Sequence, residues 1–264
     1  VLHHILLMKG LLKMRIWGAG GILVAGLGLA GCRTEPPVGF VGTEISQDTT
    51  ETLLYPVFLV DTATAGRYRQ EGLNFRQAGD MEGAIAALKI AAALDPQNPD
   101  SHVILGWTQH LAGSRAAAAK TLQTALRQDD DYVPALNALG IVYLVDGQLD
   151  AAVATHTRAA ELKPDNEIAH YNLSLAYERL AQFDQAISHG QTATELEPGN
   201  PHPWVALALA YWSSGDQVQA EANYWQALRL DGRYTSQGYL DHLEQAGFSR
   251  DQIDATGEIW ALIQ

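Results

Sequence analysis

Small apolar residues return along this chain at a fixed interval. Alanine stands at Ala84, Ala118, Ala152, Ala186 and Ala220, each 34 residues after the last. A second alanine column runs Ala91, Ala125, Ala159, Ala193 and Ala227. Gly72, Gly106 and Gly140 are followed in register by Ser174 and Ala208, all small. An aromatic column holds Phe75, Tyr143, Tyr177 and Tyr211, interrupted by Gln109. A turn column holds Gly79, Gly113, Gly147 and Gly215, with Ala181 as its departure. Pro96, Pro164 and Pro198 close three of the units, where Asp130 and Gly232 stand in the other two.

A repeat of this length with a glycine near its middle and a proline near its end predicts an αα-hairpin. A helix of about 14 residues reaches the glycine, which supplies a left-handed cap without steric cost. A second helix returns and stops before the proline, which cannot continue it. The alanines mark crossings where a small side chain lets two axes approach. The units run 65–98, 99–132, 133–166, 167–200 and 201–234. Leu105, Tyr143, Leu173 and Tyr211 are expected to be core.

Beyond the array, a short helix is expected from Tyr239 to Ala246, stopped by Gly247. Ser249 with Gln252 forms a capping-box pattern opening a last helix with Ile253, Ile259, Trp260 and Ile263. These helices, residues 235–264, are expected to cap the array. Residues 32–64 are read as a tether rich in Thr and Gly. Its exception is the apolar run from Leu53 to Val60, open to a strand, a helical turn or an extended segment lying on the repeats.

Composition narrows the function classes. The formal net charge of -13 argues against nucleic acid, whose phosphates want a basic surface. Hydrophobic residues make up 47% of the chain and charged ones 18%, enough to build a core. The single cysteine, Cys32, excludes an intrachain disulfide. It follows Lys9, Lys13 and Arg15, an apolar stretch from Ile16 to Ala30, and small residues, the order of a secretory signal over residues 1–31. The apolar stretch is short for a membrane span, which needs about 20 residues. An uncleaved membrane anchor is the alternative.

The 34-residue columns resemble the tetratricopeptide repeat. The resemblance implies an all-α fold, a right-handed α-α superhelix of five repeats. It also implies a concave groove, lined by the first helix of each unit, that takes a protein or peptide partner. The groove slots carried over to this chain include Arg69, Leu73 and Arg76, then Val103, Trp107 and His110. Asn137, Ile141 and Leu144 follow, then Tyr171, Leu175 and Glu178, then Val205, Leu209 and Trp212. Trp107, Tyr171 and Trp212 are candidate aromatic anchors, and Asn137 a candidate donor to a peptide backbone. The family's bulky residue early in the first helix is met by Tyr68, Leu136 and Trp204, and departed from by His102 and His170. The lysine and asparagine clamp that one subfamily uses for C-terminal carboxylates is missing, since its slots hold Arg69, Leu73 and Ala138.

Leu29-Ala30-Gly31-Cys32 resembles the lipobox of bacterial lipoproteins, which implies acylation of Cys32 and anchorage in a membrane. Lipobox followed by tandem repeats is the layout of pilotin lipoproteins, which help assemble secretin pores for type IV pili. Arg33 stands where some bacteria place an inner-membrane retention aspartate, which favours the outer membrane of the bacterial envelope. No His-Glu-x-x-His, Gly-x-Ser-x-Gly or phosphate loop occurs. The expectation is a non-enzymatic adaptor with no cofactor, no metal and no small-molecule substrate. An adaptor that recruits cell-wall synthesis or hydrolysis enzymes is the alternative.

Overall fold

The computed structural model describes residues 60–264. The signal, Cys32 and the tether up to residue 59 lie outside the described residues. So does the run from Leu53 except its last residue, Val60.

Ten helices alternate as hairpins: α1 (Thr62–Gln77), α2 (Met81–Leu94), α3 (Pro99–Leu111), α4 (Arg115–Gln128), α5 (Val133–Val145), α6 (Leu149–Leu162), α7 (Glu167–Arg179), α8 (Phe183–Leu196), α9 (Pro201–Ser214) and α10 (Gln217–Leu230). A 3₁₀ turn (Gly232–Thr235), the short α11 (Gln237–Leu240), a second 3₁₀ segment (Asp241–Ala246) and α12 (Arg250–Leu262) complete the chain. No strand occurs among the described residues. The first helix starts at Thr62, ahead of the expected repeat boundary, because the Asp61 carboxylate accepts from Thr64 N at 2.9 Å and caps it. The expected helix from Tyr239 to Ala246 is instead α11 followed by a 3₁₀ segment, ended by Gly247 at φ +94°.

The packing follows from the alanine columns. All ten column alanines are fully buried. Between them, a second pair of positions sets the distance of each hairpin. A Cβ added to Gly72 would meet Leu88 at 2.6 Å, one on Gly106 would meet Leu122 at 2.7 Å, and one on Gly140 would meet His156 at 2.5 Å. The absent side chain on the first helix is the room taken by the large one on the second. In the fourth hairpin the sizes are exchanged. Ser174 stands on α7 and Gly190 on α8, and the serine hydroxyl donates to the Ala186 carbonyl at 2.8 Å.

The turn glycines take φ between +77° and +90°. Ala181 takes the same left-handed conformation at φ +55°. Its cap bonds, Ala181 N to Glu178 O and Gln182 N to Tyr177 O, repeat those of Gly79 and Asp80. A Cβ in this region is strained.

His102 and His170 prove equivalent to tryptophan at their slot. Nε2 of each ring lies 3.1 and 3.2 Å from the carbonyl of Pro96 and Pro164, six residues earlier. Trp204 Nε1 donates to the Pro198 carbonyl at 3.1 Å in the same way. In these three repeats the slot holds a flat ring with an N–H, where Tyr68 and Leu136 fill it in the other two, and the carbonyl fixes the hydrogen of both histidines on Nε2. The remaining nitrogen of His170, Nδ1, then accepts from His189 Nδ1 at 2.9 Å.

Two measurements check this packing. Ala181→Gly removes the strain and is expected to raise the unfolding free energy by about 1 kcal/mol, read by denaturant titration. The second concerns His156, which is completely covered and whose pKa burial pushes down to about 3. It is neutral in the fold, while the unfolded chain takes up a proton below its ordinary pKa near 6.5. Stability is therefore expected to fall as pH drops below that value, by about 2 kcal/mol from this residue at pH 5. His156→Leu, the residue at the matching Leu88 and Leu122, should flatten that acid limb in urea unfolding series. An unchanged limb would show that His156 is not the proton acceptor.

Candidate partner-binding groove

Each first helix packs on its own second helix and also touches the first helix of the next repeat. The second helices of neighbouring repeats meet little or not at all. The first helices are therefore crowded on the inner side of the array, and the second helices splay on the outer side. Residues on the inner side of α1, α3, α5, α7 and α9 line the candidate groove.

In the first two repeats, Arg69 is half-buried and donates to Ser101 Oγ at 3.0 Å, with Asp95 Oδ2 at 3.4 Å. Arg76 is also half-buried and donates to Thr108 Oγ1 at 3.3 Å. Burial lowers its guanidinium pKa from the ordinary value. Val103 is buried against Ala118, Leu122 and Ala138, so this candidate supports the groove from below and offers no surface. Trp107 is partly exposed, with its ring centroid 5.1 Å from that of His110. Burial, then the nearby Arg115, pushes the His110 pKa down, so the ring is neutral at pH 7. On α5, Ile141 is half-buried.

Asn137 is engaged. Its amide exchanges two hydrogen bonds with Asn166, at 3.2 and 2.9 Å, and Asn166 in turn caps α7 through Ala169 N. It positions the start of the fourth repeat and has little donor capacity left for a peptide.

From Leu144 onward the groove is filled by the chain itself. Tyr171 donates to the Ala246 carbonyl at 2.6 Å, and its ring lies 6.3 Å from that of Phe248, centroid to centroid. The Cα of Gly247 presents its open side to Asn172, Leu144 and Leu175, which a Cβ there would meet at 3.6 to 3.8 Å. Gln252 is 3% exposed, and its Nε2 donates to both the Leu175 carbonyl at 3.1 Å and Glu178 Oε2 at 2.7 Å. The other Glu178 oxygen accepts from Ser213 at 2.7 Å. Leu144 and Val205 are fully buried in one cluster with Leu240, Leu243, Phe248, Ile253 and Ile259, against which Trp212 packs. Leu144, Tyr171, Glu178, Val205 and Trp212 thus face the protein's own C-terminal segment.

Sequence patterning brought the capping box of Ser249 and Gln252 into view, and both of its hydrogen bonds are present. It gave no sign that the same Gln252 amide also grips α7. Phe248 and Gly247 carried no groove signal either, because they lie outside the repeat. Among the described residues no group of three or more His, Cys, Asp or Glu side chains is placed to hold a metal ion. No described helix is long and apolar enough to cross a membrane.

Three family models match the chain. One described as a tetratricopeptide repeat matches residues 75–140, one described as a TPR repeat matches 144–180, and another tetratricopeptide repeat matches 168–200. Comparison with curated protein sequences yields no match. Among solved structures, the MamA protein is similar at 27% identity with a TM-score of 0.56, over 64% of this chain and 93% of that one. TTC0263, a thermophilic TPR protein of Thermus thermophilus, is similar at 23% identity with a TM-score of 0.55, over 69% and 98%. MamA from Desulfovibrio magneticus RS-1 shares the fold at 22% identity with a TM-score of 0.58, over 66% and 98%.

The grip of Gln252 is testable. Gln252→Ala removes two hydrogen bonds to the groove and one half of the capping box, and is expected to cost about 1–3 kcal/mol. Amide hydrogen exchange over residues 241–262 should accelerate along with that over 171–178. Acceleration confined to the first turn of α12 would mean that Gln252 acts as a cap alone.

Proposed function

This chain is a tetratricopeptide-repeat protein, and on that premise we propose that it is a non-enzymatic scaffold that holds a protein segment in the open part of its concave groove. One observation carries the reading. The inner face of the later repeats is filled by the C-terminal segment, while Trp107, Leu73 and Ile141 of the first three repeats remain partly exposed beside two arginines. Apolar surface left uncovered next to polar groups marks a contact site.

We further propose that the scaffold sits on a membrane of the bacterial envelope through lipid on Cys32, with residues 33–61 as its reach. The support is the order of basic run, apolar stretch and Leu29-Ala30-Gly31-Cys32. Lipobox and repeats in one chain suit an assembly factor for an envelope complex, as in the pilotin lipoproteins, which share this layout and help assemble type IV pilus secretins.

Photo-crosslinking in cells separates these elements. A benzophenone amino acid at Trp107 should give discrete adducts, and one at Val218, 75% exposed on α10, should not. Adducts of equal pattern at both positions, or none at Trp107, would remove the groove from the function. Cys32→Ala should shift the protein from the membrane fraction to the soluble one, and a variant that stays in the membrane fraction would remove the lipid anchor.

A further inference from the structure

We propose that the partner of the open half-groove is an acidic segment with apolar neighbours, whose carboxylate reaches Arg76 while its apolar side chains lie on Leu73, Trp107 and Ile141. The inference rests on the scaffold reading above and adds the chemistry of what is bound.

Three observations carry it. The first is the confinement of the site. Phe248, Gly247 and Gln252 take the inner face from Leu144 to Val205, and Leu144, Leu175, Val205 and Phe248 belong to the largest buried cluster among the described residues. An incoming segment therefore has the first three repeats to lie on.

The second is charge. The inner positions of these repeats carry Arg69 and Arg76 and no acidic residue, in a chain whose net charge is -13. Arg69 has Asp95 beside it. Arg76 has no carboxylate partner among the described residues; its partner there is a threonine hydroxyl, at 3.3 Å. Thr108 is itself buried and already donates to the Ile104 carbonyl at 2.8 Å. A half-buried guanidinium with five N–H donors is left with most of them unused. Removing a charge from water without a counter-charge is costly, and a carboxylate that arrives with the partner offsets it.

The third is the surround. Leu111, at the end of α3, is 44% exposed, and the Trp107 ring lies tilted against the neutral His110 ring, 5.1 Å between centroids. A cation set among apolar surface discriminates by charge and gives little to a wholly apolar segment.

The test uses the full-length chain in detergent micelles and a random dodecapeptide library displayed on phage. Selection on the wild type is expected to enrich Asp or Glu within a few residues of aromatic or aliphatic side chains. Binding of an enriched peptide should fall about tenfold or more with Arg76→Gln. Selection on Arg76→Glu should enrich Lys or Arg in place of the acid. Circular dichroism shows whether each variant folds, and Arg76→Gln keeps a donor for Thr108. If enrichment is lost with Trp107→Ala but its charge preference is the same in wild type and Arg76→Glu, the groove binds segments and the acidic partner is wrong. If nothing is enriched, or Trp107→Ala has no effect, the scaffold reading itself falls. If peptides bind only after deletion of residues 44–59, which carry Glu44, Asp48, Glu51 and Leu53 onward, the occupant is the chain's own upstream segment and the external partner is overturned.

Discussion

The array depends on how closely two helices of a hairpin approach, and that distance is set by one large side chain facing one that is missing. Gly72 faces Leu88, Gly106 faces Leu122 and Gly140 faces His156, each without room for another carbon. The buried alanine columns on either side keep the axes at the same separation from one repeat to the next. Because each repeat packs against no repeat but its neighbours, an error at one crossing would be passed along the stack as a change of curvature. The groove on the inner side is a consequence of this regularity.

Much of that was legible in the sequence because it is periodic. The alanine columns announced the crossings, and the glycine column announced the turns. Ala181, the one departure in the turn column, adopts the same left-handed cap as the glycines it replaces. The exchange of Ser174 and Gly190 was harder to read, since each column alone shows only a small residue or an anomaly. The histidines at positions 102 and 170 looked like departures from a bulky slot. They share with Trp204 an N–H aimed at a carbonyl six residues back, and no scale of size or hydropathy ranks residues by that.

The site was less legible than the fold, for a physical reason. Slot numbers name the residues that point inward, and they did so without knowing what lies above them. The C-terminal segment reaches back to α7 across sequence separations of 74 to 77 residues, through Tyr171 to Ala246 and through Gln252 to Leu175 and Glu178. Nothing local or periodic encodes those contacts. They divide the inner face into a half that is part of the core and a half that stays available. Asn137 shows the same limit at a single residue, being spent on Asn166.

The facing positions of a hairpin are coupled by size. A double-mutant cycle on the fourth hairpin measures that coupling, by urea unfolding of Ser174→Gly, Gly190→Leu and the pair. Gly190→Leu alone should be strongly destabilising, because a Cβ there already meets Ser174 Oγ at 3.0 Å and Leu207 Cδ1 at 3.1 Å. The pair recreates the arrangement of Gly72 with Leu88 and should recover much of the loss, with a coupling of about 1–3 kcal/mol. Effects that simply add would contradict it, and would mean that the two columns keep small residues for unrelated reasons.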